Sequence, residues 1–305
     1  MRCSTWRRVL DEQPIGSAAE ARIWVALEQP GPWGAKAPTQ SRLDPGLGAE
    51  LEKRMKRAGG RLALLRHPAG STDRLATRRR VFVASAAAGS ELLLTGVLDD
   101  PGTLLDLDLS ALRDGDFEAV RRSVPVLSTH PEPVMLVCVN GKRDACCALF
   151  GRPTAHALHD EFGDVVWETN HLGGHRFAPT TLQLPHGYSH AGVDPERGQA
   201  IIRAARAGQL CPDGLRGRSS REPAEQVAEL AIRQATQCWD LDAVRVVDTE
   251  RTGSNQWSVT TLVADEPRTL TVARHRSDVR RPKSCGKDGS AMDGWNVHDP
   301  RAGEG

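Results

Sequence analysis

Apolar runs and amphipathic stretches alternate along the middle of the chain. Short apolar runs predict strands, and stripes with a 3.6-residue period predict the helices that separate or follow them. The predicted strands cover residues 133–137, 165–167, 181–184 and 188–191. Pro153 suits the first position of one helix, and Asp194 precedes the other. This order of strand, helix, strand, hairpin and helix is the core order of a thioredoxin-like fold.

The first hundred residues repeat that order less clearly. Apolar runs at 22–27 and 61–65 predict two strands, and an apolar stripe over 47–58 predicts a helix between them. Runs at 81–84 and 92–95 predict a second hairpin. The pattern therefore predicts the α/β class and allows a tandem pair of thioredoxin-like units.

The last hundred residues follow a different pattern. An arginine-rich polar segment at 215–220 predicts a linker, and an amphipathic stretch at 227–239 predicts a helix after it. A small sheet is predicted before a polar tail that starts at Ser277, with strands at 244–247, 257–262 and 270–272. The expected regions are an N-terminal α/β region at 1–125, a thioredoxin-like domain at 126–210 and a small α+β region at 211–305.

Charge and composition exclude several classes of protein. The 305 residues include 40 basic and 39 acidic side chains, so the net charge of +1 gives no reason to expect a nucleic-acid or membrane surface. No stretch approaches the roughly 18 apolar residues that a membrane helix needs, and the N-terminus lacks the apolar run of a secretory signal. Seven irregularly spaced cysteines fit metal or thiol chemistry in a reducing compartment, so we expect a cytoplasmic protein.

Two short segments combine residues that bind soft metals. One runs from Cys138 to the pair Cys146 and Cys147, and it follows a predicted strand. The other contains His171 and His175 around two glycines, and it follows the next strand. If these strands are parallel, both segments leave the same edge of the sheet and their side chains can meet. Two thiolates and two imidazoles suit either zinc or an iron–sulfur centre.

Other interpretations of these residues stay open at this point. Zinc at the same four positions would make a structural or interaction module, whereas Cys138 with one of the paired cysteines would make a thiol–disulfide oxidoreductase. Cys138 alone would be a buried thiol. The neighbouring cations Lys142, Arg143 and Arg176 are better explained as a solvated rim than as a docking surface for an acidic partner.

Both segments resemble motifs of one known family, the sucrase/ferredoxin-like family. Residues 138–147 resemble its Cys-x-x-Gly-x-Arg-Asp-x-Cys-Cys stretch, and residues 171–178 resemble its His-x-Gly-Gly-His-x-Phe-Ala stretch. Further similar stretches lie at residues 3–6, 28–34, 184–187, 215–219 and 252–257. The resemblance therefore extends over nearly the whole chain.

The resemblance implies a thioredoxin-like ferredoxin domain with a 2Fe–2S cluster in the middle of the chain. Carried over residue by residue, the ligands would be Cys138, Cys147, His171 and His175, with Cys146 as the alternative to Cys147. The protein would then be a soluble one-electron carrier or redox sensor, with a redox partner protein that the sequence does not identify. Enzymatic activity stays open, but no carboxylate pair supports the sucrase activity in the family's name.

Overall fold

The N-terminal half of the chain forms the predicted order of strand, helix, strand and hairpin. The computed structural model describes residues 2–70 and 78–299. The elements of this half are α1 (Cys3–Val9), β1 (Ile23–Glu28), α2 (Pro45–Arg57), β2 (Gly60–Arg66), β3 (Arg79–Ser85), β4 (Leu92–Leu98), a 3-10 helix (Pro101–Leu105), α3 (Leu109–Asp114), α4 (Phe117–Ser123) and β5 (Ser128–Thr129). Asp44 starts α2 because its carboxylate accepts a hydrogen bond from the Leu47 N–H at 2.8 Å.

The middle of the chain forms the same order with an additional helix. Its elements are β6 (Val134–Cys138), α5 (Ala145–Phe162), a 3-10 helix (Gly163–Val165), β7 (Val166–Thr169), a 3-10 helix (His175–Phe177), β8 (Thr180–Leu184), β9 (Tyr188–Ala191), α6 (Pro195–Arg206) and β10 (Leu215–Arg218). The apolar run of β6 is buried along its whole length, which explains why it is continuously hydrophobic rather than alternating.

One mixed sheet joins the two halves. Within the described residues its ten strands have the order β10-β9-β8-β6-β7-β2-β1-β3-β4-β5. The segments β2-β1-β3-β4 and β7-β6-β8-β9 repeat one arrangement, in which a parallel pair is followed by two antiparallel neighbours. The halves meet where β2 and β7 pair antiparallel, at Leu65 with Thr169 and Arg66 with Glu168. The chain is therefore mixed α/β, and its two halves share one hydrogen-bonded sheet.

Alternate residues of β1 pack on opposite faces of this sheet. Ile23 and Leu27 belong to the larger core, to which α2, α5 and α6 also contribute. Trp24 belongs to a smaller core on the other face, together with Cys138 and Cys147. The predicted ligand cysteines thus lie in an apolar environment, where charged groups are costly unless they are paired or bind a metal.

The C-terminal region adds a second, antiparallel sheet. α7 (Pro223–Thr236) packs on the meander of β11 (Val244–Gly253), β12 (Gln256–Val263), β13 (Glu266–Pro282) and β14 (Gly289–His298). Val227 and Ile232 of α7 meet Val259 and Val272 of the sheet in a separate core. The predicted helix and small sheet are confirmed, but the polar tail after Ser277 is largely strand, because β13 and β14 form a long hairpin whose exposed side chains are polar.

Two further local predictions are wrong. α5 begins at Ala145 rather than Pro153, because the Asp144 carboxylate accepts the Cys146 N–H at 2.9 Å and caps the helix. Residues 215–220 are no linker, since β10 pairs with β9 and buries Arg216 and neighbouring residues. The large sheet thus extends beyond residue 210, and the division into regions at 125 and 210 stays a prediction.

None of the helices in the described residues combines the length and apolar content that a bilayer crossing requires.

Candidate metal centre

The site lies where β6 and β7 end. The two strands are parallel, with Cys138 opposite Thr169, so the segments that follow them leave the same edge of the sheet. This confirms the condition on which the sequence argument depended. Cys147 lies in the first turn of α5, and His171 lies two residues after the end of β7. The fold therefore brings both predicted segments to one place.

Three of the four predicted ligands form one group. The ligand atoms of Cys138, Cys147 and His171 all lie within 4.8 Å of one another. His175 lies beside them, and its ring centroid is 5.2 Å from that of His171. Cys146, the predicted alternative to Cys147, lies in a different group. The structure therefore places Cys147, and not Cys146, beside Cys138.

Three of the four imidazole nitrogens of this site lack hydrogen-bond partners. In the part of the chain that the structure describes, His171 Nδ1 and both ring nitrogens of His175 are buried without a partner. Buried polar atoms are normally hydrogen-bonded, and each exception needs an explanation. Nitrogens that coordinate a metal ion would be left unpaired in this way. The donor set of two thiols and two imidazoles, with its unpaired nitrogens, fits a soft or borderline metal centre.

The pKa values of the two cysteines shift in opposite directions. The hydrogen bond from Cys147 lowers the pKa of Cys138 well below its ordinary value and outweighs the burial that raises it, and His171 lowers the pKa further. The same hydrogen bond to Cys138, together with burial, raises the pKa of Cys147. Burial lowers the pKa of His175, and the neighbouring His171 adds to the effect. One thiolate and a neutral imidazole are the forms of these side chains that bind metals.

The buried side chain of Arg216 hydrogen-bonds the segment that connects His171 and His175. Gly173 and Gly174 have φ angles of +92° and +69°, a conformation that glycine adopts without strain. Arg216, which is 1% exposed, donates from Nη1 to the Gly173 carbonyl at 3.2 Å and to Ser189 Oγ at 3.2 Å. A Cβ atom at Gly174 would lie 2.5 Å from Arg216 Nη2. The sequence prediction missed this role because arginine-rich composition suggested a solvated linker.

Cys146 belongs to a second group of thiols. Its Sγ is 3.7 Å from Cys3 Sγ and 3.3 Å from Cys285 Sγ. Asp144 adjoins them, since its Oδ2 accepts a hydrogen bond from the Cys285 N–H at 2.8 Å. Sequence reasoning missed this group, because Cys3 and Cys285 are 282 residues apart and no local motif connects them.

The predicted rim is only partly correct. Lys142 and Arg143 are exposed, as a solvated rim requires. Arg176 instead pairs with the buried Glu12, at 2.9 Å between Arg176 Nε and Glu12 Oε1. Glu12 also binds Arg281 of β13 at 2.7 Å, so the carboxylate connects the histidine segment with the C-terminal sheet. Arg176 therefore has a structural partner.

An open cleft reaches the histidine side of the site. It has a volume of about 990 Å³ and is lined by residues of both halves, including Arg61, Asn140, Arg143 and His171. Acidic and basic side chains both line it, with Glu52 and Glu222 among the acidic ones. Of the four predicted ligands, His171 is the one that lines this cleft.

Comparison with known proteins assigns a family. Residues 14–217 match the family model described as sucrase/ferredoxin-like, a span that contains all four predicted ligands. No curated protein and no solved structure matches the chain. The second group of thiols has two members outside the matched span, Cys3 and Cys285.

Proposed function

Because the chain belongs to the sucrase/ferredoxin-like family, we propose that Cys138, Cys147, His171 and His175 hold a 2Fe–2S cluster and that the protein is a one-electron carrier or redox sensor. The observation that carries this proposal is the group of two thiols and one imidazole at the ends of two parallel strands, with a second unpaired imidazole beside it. The bound cluster would supply one-electron redox chemistry.

The side chains of the site have separate roles in this proposal. Cys138 and Cys147 supply thiolates from the apolar face of the sheet. His171 and His175 are neutral donors, so they leave less negative charge at the centre than two further thiolates would, and they favour a higher reduction potential than an all-cysteine centre has. Arg216 fixes the segment between the histidines through the Gly173 carbonyl.

The arrangement of the sheet supports the thioredoxin-like interpretation. Each half contains a parallel pair connected by a helix and extended by a hairpin, and the second half adds α6 after the hairpin. We propose that the second half is a thioredoxin-like ferredoxin unit and that the first is a related unit without the ligand residues. Both units would then derive their geometry from the same strand order.

A redox partner would approach through the cleft beside His171. The mixed charge of its lining fits a protein surface with complementary acidic and basic groups better than a uniformly charged polymer. All seven cysteines are free thiols, which suits a reducing compartment and supports the proposed cytoplasmic location.

Anaerobic purification of the full chain tests this function. We expect a red-brown protein with about two iron and about two acid-labile sulfide per chain, and a mixed-ligand EPR spectrum after reduction. Cys138→Ser should remove the iron, and His171→Ala and His175→Ala should each change the EPR spectrum or remove the iron. His130→Ala is the matched control, because His130 is a half-buried histidine outside the metal group, whose ring bonds only Glu132 and contacts Phe82.

Two results would contradict the proposal. A colourless protein with zinc bound to two sulfur and two nitrogen ligands would instead support a structural zinc module. A metal-free protein with a Cys138–Cys147 disulfide would support a thiol oxidoreductase. Elemental analysis and alkylation with mass spectrometry separate these outcomes in the same preparation.

A further inference from the structure

We propose that Cys3, Cys146 and Cys285, with Asp144 as the fourth ligand, form a separate structural zinc site. The three sulfur atoms form a triangle with sides of 3.7, 3.6 and 3.3 Å. Both carboxylate oxygens of Asp144 lie 3.8 Å from Cys3 Sγ. The four ligand atoms all lie within 4.8 Å of one another.

These distances are close to those of tetrahedral zinc. With Zn–S bonds of about 2.3 Å, the sulfur atoms of a tetrahedral site are about 3.8 Å apart. The observed S–S distances of 3.7, 3.6 and 3.3 Å are all somewhat shorter than this. Small side-chain rotations would therefore open the triangle to the size that zinc needs. Three thiolates and one carboxylate give zinc the same total ligand charge as the common four-cysteine site.

The surroundings favour a cation at this place. Asp144 is buried, and its carboxylate accepts hydrogen bonds from the Cys146 N–H at 2.9 Å and the Cys285 N–H at 2.8 Å. Among the described residues, the ionisable nitrogen within 4.0 Å of this carboxylate is His175 Nε2, at 4.0 Å from Oδ2, and no lysine or arginine pairs with it. The carboxylate therefore lies beside two buried thiols and one half-buried thiol without a lysine or arginine partner, and a divalent metal ion would supply the positive charge.

The hydroxyl groups around the site would support thiolate ligands. Ser4 Oγ donates to Cys146 Sγ at 3.2 Å, and Ser284 Oγ donates to Asp144 Oδ2 at 2.9 Å. Hydrogen bonds of this kind orient metal ligands and stabilise their charge. A disulfide explains the group less well, because three thiols leave one cysteine unpaired, whereas one zinc ion engages all three.

The site would connect three distant parts of the chain. Cys3 begins α1, Cys146 lies in the first turn of α5, and Cys285 lies between β13 and β14. Zinc would therefore fasten the N-terminal helix and the C-terminal hairpin to the helix that also carries Cys147. This inference does not depend on the identity of the metal at the other centre.

Metal analysis of the full chain tests the inference. The wild-type protein should contain about one zinc per chain, and its zinc X-ray absorption spectrum should show three sulfur neighbours at about 2.3 Å and one oxygen at about 2.0 Å. Cys285→Ser should lower the zinc content about tenfold or more and leave the iron unchanged. His171→Ala should change the EPR spectrum or remove the iron and leave zinc, and Cys238→Ser, outside both groups, should change neither.

The outcomes remain separable if one variant fails to fold, because the zinc X-ray absorption spectrum of the wild-type protein alone identifies the ligands of the zinc ion. Zinc with two nitrogen neighbours would place the ion at the histidine centre and overturn the inference. A zinc-free wild-type protein, a second iron cluster or an unchanged zinc content in Cys285→Ser would also overturn it. A protein without iron but with a three-sulfur zinc site would contradict the proposed function alone.

Discussion

Replacing Gly151 with alanine should separate α5 from the strand that carries Cys138. A Cβ atom at this position would lie 2.2 Å from the Cys138 carbonyl oxygen, a backbone atom that cannot rotate away. The two atoms need about 3.2 Å, so the helix must move by about 1 Å in a close-packed interior. Overpacking of this kind costs up to about 3 kcal/mol, and the better helix propensity of alanine returns about 1 kcal/mol.

The net loss of about 2 kcal/mol should lower the Tm by roughly 4–8 °C. The same movement increases the distance between Cys138 and Cys147, so we expect the bound iron to fall as well. Thermal unfolding and iron content measure the two effects in one preparation. Gly46→Ala is the control, because Gly46 is an exposed helical position whose nearest obstacle is the tip of Asp44 at 3.2 Å. A Gly151→Ala protein with unchanged Tm and full iron would refute the reasoning.

Two further predictions concern buried polar groups away from the ligands. Burial raises the pKa of Glu12, but hydrogen bonds from Arg281 and Arg176 outweigh this effect, so the pKa of Glu12 lies below its ordinary value of 4.5. Ionised Glu12 therefore stabilises the fold above about pH 4.5, and this contribution is lost as the pH falls through the lowered pKa. Glu12→Gln should cost about 3 kcal/mol at pH 7 in urea unfolding, and a deficit that does not shrink in acid would contradict this. Tyr188→Phe removes a 2.5 Å hydrogen bond to buried Glu229 and should lower the free energy of unfolding by about 1–3 kcal/mol with the iron content unchanged. An unchanged free energy of unfolding, or a loss of iron in metal analysis, would contradict this prediction.

Much of the fold was predictable from periodicity. The apolar strand that ends at Cys138 and the strand before His171 are signals contained within a few residues, and their parallel pairing follows from the helix between them. The positions of Cys138 and His171 could therefore be inferred without knowledge of the structure. The choice between Cys146 and Cys147 could not, because it depends on where α5 begins.

The remaining features depend on contacts between distant parts of the chain. Arg216 looks like a solvent-exposed residue in the sequence, and only the fold shows that carbonyl and hydroxyl groups satisfy it in the interior. Pro153 looks like a helix start, but the cap at Asp144 begins the helix two turns earlier. Composition and local spacing contain no information about such partners.

The two thiol groups differ in when they can be completed during synthesis of the chain. The group of Cys138, Cys147 and His171 lies within a short continuous stretch, so it can assemble once that stretch has left the ribosome. The group of Cys3, Cys146 and Cys285 also requires Cys285, which is synthesised long after His171. Because Cys146 and Cys147 are adjacent, the proposed histidine centre would fix the start of α5 before the proposed zinc site closes, and the two metals would then load in that order.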